Sequence, residues 1–339
     1  MSGDQSSTLS RSRVRVWRDG NVVEDGQLSD TLDRRMAEPG SLVWVDLVNP
    51  STEDLDRLAA EIGLDPLAVE DATAPLERPK VVRHTGHLFF MTYATRLRDA
   101  SVRDAQSHGR LELDRVSGFV LPSALITVRP DDAIDIDEVV RLWDDNPDLL
   151  RLGPGALVHG LLDHVVDRQF ETIQQLDDAI EGLEDALFGE RRGNAPFLRD
   201  VYGVRKDLVR LRRVVLPMRE VVNALLRHRQ DGDGELGRWY DDLYDHVLRA
   251  AEWTESLRDM VSSVFETNLS LQDTRLNVVM KQLAGWAAII AVPTAVTGWF
   301  GQNLPYPGFA KPLGLWLSVL LISGLSGGLF AVFRRRGWL

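Results

Sequence analysis

Two uncharged stretches near the C-terminal end dominate the pattern of apolar and polar positions. No charged residue occurs from Gln282 to Ala310, and Leu283–Phe300 is almost continuously apolar. After Lys311 a second uncharged run extends from Leu313 to Phe333. As helices these runs rise roughly 27 Å and a little over 30 Å, against a hydrocarbon layer about 30 Å thick. The pattern predicts a transmembrane helix over 282–300, an extracytoplasmic loop over 301–312 and a second transmembrane helix over 313–333. Arg275 and Lys281 precede the first span and Arg334-Arg335-Arg336 follow the second, whereas the connection carries only Lys311. By the positive-inside rule both chain ends are cytoplasmic, residues 334–339 forming a basic cytoplasmic tail. Trp299, Phe300, Tyr306, Phe309 and Trp316 cluster where an outer aromatic belt would sit. The alternative, a buried hairpin of a soluble protein, needs two helices apolar on every face.

Upstream the periodicity changes. Residues 1–11 are polar, without an apolar core of a signal peptide, and read as a disordered tail. Residues 12–47 read as short strands, with Leu42–Leu47 the clearest. Ser51 caps a helix with Asp54 at the capping-box position, Leu55, Leu58, Ala59 and Ile62 form its apolar face, and Gly63 ends it. A short helix follows at 66–71. Strands are predicted at 80–84, 87–95, 110–120 and 124–129, a loop at 97–109 and a helix at 133–143. Together these define an α/β domain over 12–150 with a central, partly antiparallel sheet.

From Gly155 the period becomes that of long helices. The stretch 156–187 carries an apolar stripe from Leu157 to Leu187 and an acidic face that includes Asp163, Asp167 and Glu171. A second helix is predicted over 197–229, with Leu198, Val201, Val204 and Leu208 on its stripe and Arg205, Lys206, Arg210, Arg212 and Arg213 beside it. The acidic and basic helices form an antiparallel hairpin over 155–230. The break at Asp231–Gly234 lacks the ligand spacing of a calcium loop and reads as a turn. No proline or glycine occurs between Gly237 and Gly285. One helix is therefore expected from about 238 to 299, a stalk over 238–281 running into the first span; a break near Ser270–Asp273 is the competing reading. Such a helix buries its stripe only against neighbours, and two spans alone enclose no aqueous path. Conduction requires several copies around an axis.

Composition narrows the chemistry. A net charge of −12 argues against nucleic acid as a partner and suits a protein that handles cations. The chain has no cysteine, which excludes disulfides and thiolate metal sites. Its negative mean hydropathy conceals the uneven distribution of apolar residues. Seven histidines are scattered; His84 and His87 come nearest to metal-ligand spacing, and as flanks of Thr85-Gly86 they also read as an ordinary surface turn. No phosphate loop, G-x-S-x-G or H-E-x-x-H motif occurs, so nothing suggests an enzyme.

The stretches Asn277–Leu283, Val292-Pro293-Thr294, Gly298–Asn303 and Arg334–Leu339 resemble the CorA family of magnesium transporters. The likeness extends back through Tyr240–His246, Leu216–Glu220, Arg78-Pro79-Lys80 and Glu70-Asp71. The resemblance implies an α/β cytoplasmic domain, long helices and a C-terminal two-helix transmembrane hairpin, assembled as a funnel-shaped homopentamer in a bacterial-type inner or plasma membrane. It implies Mg²⁺ as transported and regulatory ion, with other divalent cations possible. The family's Gly-Met-Asn signature stands here as Gly301-Gln302-Asn303, the implied selectivity filter. An ungapped carry-over puts Asn277, Met280, Leu283, Ala291, Thr294 and Gly298 along the pore, mostly on one helical face. Met280 and Leu283 would form an apolar constriction and Thr294 a hydroxyl ring. Asp242, paired with Asp99 of a neighbouring subunit, would bind the regulatory ion that closes the ring. Related branches with altered signatures are associated with zinc, and a non-conducting membrane-anchored sensor is the reading from a different class.

Overall fold

The computed structural model describes residues 11–28, 32–74, 77–99, 109–188, 195–227, 234–302, 305, 309 and 311–339. The expected N-terminal tail, the turn at Asp231–Asp233 and most of the loop expected at 97–109 lie outside these residues. Two compact units divide the chain, Met1–Ser263 and Val264–Leu339.

The first unit is built on a seven-stranded sheet. β1 (Ser12–Arg18), β2 (Asn21–Gly26), β3 (Ser41–Val48), β4 (Lys80–Arg83), β5 (Leu88–Leu97), β6 (Leu111–Val120) and β7 (Ala124–Arg129) lie in the order β2-β1-β3-β7-β6-β5-β4. All described pairings are antiparallel except β3 with β7, where Val43 faces Ala124 and Val48 faces Arg129. α1 (Leu32–Ala37), absent from the sequence reading, stands in the connection from β2 to β3. α2 (Thr52–Ile62) begins where Ser51 accepts the Asp54 amide at 3.1 Å and ends at Gly63, whose φ of 76° needs no Cβ clash to be relieved. α3 (Pro66–Thr73) is capped by Asp65. Ser117 on β6 donates to the Ala72 carbonyl, and Arg115 to that of Ala74, which ties this end of α3 to one sheet face.

The other face carries the main core. Trp17 and Trp44 meet Trp143 edge to face, at 5.9 and 5.1 Å between centroids. Trp143 belongs to α4 (Ile136–Asp144), which the short α5 (Pro147–Leu150) follows. Behind them runs α6 (Pro154–Phe188), whose Leu157, Leu161, Val165 and Ile173 are fully buried. Side chains at steps of three and four point to one side of a helix, so the stripe read from the sequence becomes this core.

The second predicted helix is two. α7 (Ala195–Val215) and α8 (Met218–Arg227) are separated at Leu216-Pro217. Proline has no amide hydrogen and its ring collides with the carbonyl four residues back, so the helix stops and restarts. The stripe also starts one residue earlier than expected: Phe197 is buried and Leu198 is 38 % exposed. Asp207 on α7, 2 % exposed, accepts the amides of Arg110 at 2.8 Å and Leu111 at 3.0 Å and so fixes the entry to β6. α9 runs from Gly234 to Phe300 without a break, so the interruption considered near Ser270–Asp273 is not there. Its early stripe, Leu236, Tyr240, Leu243 and Val247, joins the core.

Candidate functional site

Within the second unit, the last turns of α9 and the whole of α10 (Pro312–Arg335) are the apolar helices long enough to cross a bilayer. Almost none of either apolar stretch is buried within the chain. A buried soluble hairpin is excluded by that exposure, because apolar surface on this scale needs lipid or another subunit. The two helices meet where the sequence has its first glycine after a long helical run. Gly285 is buried, and a Cβ there would lie 3.6 Å from Leu339 and Phe333. Trp286 packs on Phe330 at 6.4 Å. The chain end folds back through Gly337, at φ 67°, with the Trp338 amide bonded to the Phe333 carbonyl at 2.9 Å and the two rings stacked at 5.3 Å. Sequence reasoning did not single out Gly285 as a packing contact, although its place after that glycine-free run was a signal.

The burial pattern gives α9 two faces. Gly285, Ile289, Val292, Pro293, Val296 and Phe300 are buried or partly covered. Met280, Leu283, Ala291, Thr294 and Gly298 are exposed. At about 100° per residue the second set lies roughly opposite the first, and Asn277, also exposed, stands toward one side of it. Thr294 Oγ1 donates to the Ile290 carbonyl at 3.2 Å, and Thr297 Oγ1 to that of Pro293 at 2.8 Å. Both hydroxyls keep lone pairs free on the helix surface. α9 ends with Gly301 bonded to the Thr297 carbonyl at 2.8 Å and Gln302 to that of Trp299 at 3.3 Å. A Cβ on Gly301 would sit 3.0 Å from the Thr297 oxygen, so glycine permits this closing turn. Asn303 lies outside the described residues. Gly301 and Gln302 are both exposed.

Asp242 lies on α9 and Asp99 just past the end of β5, both in the first unit. Asp242, 70 % exposed at the side chain, stands one turn from His246 on α9, at 3.9 Å. Asp99 is exposed just past β5. Near Asp242, burial holds His159 below the ordinary imidazole range, against the opposing fields of Asp163 and Asp242 and the Trp239 carbonyl. Burial also pushes Asp167 up, with Asp163 adding repulsion. A cavity of about 250 Å³ opens nearby, lined by Thr95, Arg96, Asp114, Glu138, His164 and Arg168. Among the described residues no three His, Asp or Glu side chains converge so as to hold a metal ion.

An α/β unit whose last helix continues into an apolar two-helix hairpin is the architecture of an integral membrane protein. The family model of CorA-like Mg²⁺ transporter protein matches residues 39–335, and the chain belongs to that family. The cobalt/magnesium transport protein CorA of Thermotoga maritima is 26 % identical over 300 residues, 87 % of this chain and 83 % of that protein. The protein of the same name from Methanocaldococcus jannaschii is 24 % identical over 96 % of this chain and 99 % of its own. Its complete structure superposes with a TM-score of 0.76 over 97 % of this chain and 98 % of that one. The zinc transport protein ZntB of Yersinia pseudotuberculosis is 27 % identical over 55 % of this chain and 57 % of its own.

Proposed function

We propose that the chain assembles as a homopentamer in a bacterial-type cell membrane, with both termini cytoplasmic, and conducts Mg²⁺ inward down its electrochemical gradient. The observation that carries this reading is the division of α9 into two faces. One side carries the buried or partly covered residues, with Gly285 against Phe333 and Leu339; the opposite side exposes Met280, Leu283, Ala291, Thr294 and Gly298. Two helices enclose no aqueous route, so an uncovered face with hydroxyls and small residues is what a ring of copies would turn toward a shared axis. Met280 and Leu283 then form a dry constriction that stops ions when it closes. Thr294 offers a ring of oxygens and Asn277 a polar ring at the inner end.

At the outer end Gly301, Gln302 and Asn303 act as the filter. Mg²⁺ gives up water reluctantly, so neutral carboxamide and carbonyl oxygens that contact its hydration shell select it without trapping it. No charge lies inside either span, which suits passive flow of a hydrated cation. Asp242, with Asp99 of an adjacent copy, binds the regulatory ion: carboxylates that repel when Mg²⁺ is scarce are bridged when it is plentiful. This is transport, with no enzymatic step.

Gln302 in place of the family's methionine favours a second reading, in which Zn²⁺, Co²⁺ or Ni²⁺ is the preferred cargo. Flux of Mg²⁺, Co²⁺, Ni²⁺ and Zn²⁺ into liposomes containing the purified protein separates the two. The Asn303→Ala variant is expected to lose nearly all flux. Equal flux through wild type and variant would remove the filter assignment, and a wild type that passes no ion would leave the chain a sensor.

A further inference from the structure

In the first unit α6 and α7 turn oppositely charged faces outward. The exposed face of α6 carries Glu171, Gln175, Asp178, Gly182 and Asp185, at steps of four, three, four and three, with Glu181 at its margin. The exposed face of α7 carries Arg199, Arg205, Lys206 and Arg213 around an apolar seam. That seam is Leu198, Tyr202 and Val209, which are 38, 59 and 44 % exposed. The buried sides of the two helices are apolar, with Ile173, Leu176 and Ile180 on one and Val201, Leu208 and Leu211 on the other. Arg168 pairs with Glu171 along α6, and Arg212 of α7 pairs with Glu255 of α9. Among the described residues no ion pair joins α6 to α7, so the two charged faces do not neutralise each other within the chain.

The faces also match in height. Thr172 on α6 meets Thr95 of β5 at 2.8 Å, and Arg210 on α7 donates to the Leu111 carbonyl of β6 at 2.7 Å. Leu111 pairs with Leu97, two residues along β5 from Thr95, so Thr172 and Arg210 stand at nearly one level. From there both helices approach their connection at about 1.5 Å per residue. Asp178 comes level with Arg205 and Lys206, and Gly182 with Tyr202, each to within about one turn. The acidic face is open at that height, since a Cβ on Gly182 would meet nothing within 4 Å. A bulky seam inside a basic face and a glycine inside an acidic one are complementary in shape as well as in sign. Exposed ion pairs add little stability singly, but opposed strips of charge steer two surfaces together and fix their register.

We propose that the acidic face of α6 on one copy docks along the basic face of α7 on the next, with Tyr202 seated over Gly182 and Asp178 against Arg205 and Lys206. This rests on the reading of the protein as a ring. Rotation about a ring axis that runs along the helices leaves heights unchanged, so faces that match in level within one chain match between neighbours too. Each copy offers one acidic and one basic face, which makes the contact heterologous and lets the series close. The strip weakens as salt rises, because its charges lie at the surface.

The chain has no cysteine, so an introduced pair reports only its own contact. The test is mild oxidation of the full-length Gly182→Cys/Tyr202→Cys protein in detergent at low salt, read on a non-reducing gel. Most of the single-chain band should be lost to a ladder of covalent multiples beyond two chains, which a reductant collapses. Gly182→Cys/Asp200→Cys is the control, since Asp200 shares that height but lies on the far side of α7 from Tyr202; it should keep the single-chain mobility. Asp178→Lys, added to the first pair, should cut the ladder several-fold, and Arg205→Asp/Lys206→Asp on top of it should restore the yield, a rescue that a merely structural role would not give. An unchanged yield in Asp178→Lys overturns the electrostatic basis of the docking. Light scattering on the same sample separates this inference from the ring reading. A particle of several chains that gives only single-chain bands, or a ladder that stops at two, overturns the docking and leaves the ring standing, with the two faces open to other occupants. A particle of one chain ends both.

Discussion

The most exacting prediction concerns a buried ion pair at the parallel junction of the sheet. Asp46 on β3 and Arg129 on β7 are each 3 % exposed at the side chain. Arg129 reaches Asp46 through Nε at 3.1 Å and through a terminal nitrogen at 2.6 Å. It also donates to the Ile134 carbonyl at 3.2 Å. Asp46 Oδ1 accepts from Thr127 at 2.6 Å, and Thr127 in turn accepts the Trp44 indole at 3.1 Å. Asp46→Asn keeps the shape and removes the charge, leaving a guanidinium uncompensated in the interior. Breaking such a pair costs about 3–5 kcal/mol, and burial this deep leaves little solvent screening to discount. Asp132, 3.7 Å away and mostly exposed, offers partial compensation, which argues for the lower end, about 3–4 kcal/mol. For a unit of this size that is a fall of roughly 6–16 °C in the unfolding midpoint. Tryptophan fluorescence of the full-length protein in detergent measures it, with Trp44 inside the network as reporter. The double variant Asp46→Leu/Arg129→Met, which removes both charges, should recover most of the loss. A single variant within about 1 kcal/mol of wild type, or a double variant no better than the single, refutes the argument.

Stability should also depend on pH through the buried histidines. Burial holds His159 and His164 below the ordinary imidazole range, in the case of His164 against the pull of Glu138. The unfolded chain then binds protons first, so their contribution is complete above pH about 6.5 and is lost as pH falls below it. The unfolding midpoint should drop between pH 7 and 5, and His164→Gln should flatten that slope; a midpoint that stays level or rises in wild type contradicts this. Asp114 and Asp167, pushed up by burial, act with the opposite sign at lower pH, which is why the window stops at 5. Gly118 faces Phe90 across β6 and β5, and a Cβ there would lie 2.3 Å from its ring. Gly118→Ala should therefore cost about 1–3 kcal/mol by overpacking, read as a lower midpoint in the same fluorescence assay. An unchanged midpoint would mean that the ring moves freely.

Much of the architecture was legible because it is local. The strands expected at 87–95, 110–120 and 124–129 match β5, β6 and β7 to within a few residues, and the glycine-free run from Gly237 announced α9. Pro217 splits the basic helix for a reason visible in one residue, yet the apolar stripe on both sides concealed it. α1 is too short and too charged to show a period. The exposed set from Met280 to Gly298 was named from a resemblance, and the burial of the opposite side, centred on Gly285, became visible with α10 in place. Asp207, Asp46 and Arg129 carried no sequence signal, because an acid or an arginine inside a periodic segment looks the same whether its partner is water or a distant amide.

The sequence by itself determined that this is a membrane protein. The length of an uncharged run is a one-dimensional property, and it is measured against a bilayer of nearly constant thickness. Which side chains meet is a different kind of quantity. Asp46 and Arg129 are 83 positions apart, and His84 finds Asp65 across a turn and a helix cap. Such contacts follow from strand order and helix placement, so only the tertiary structure decided whether His87 sits in water or, as it does, buried with both nitrogens unmet.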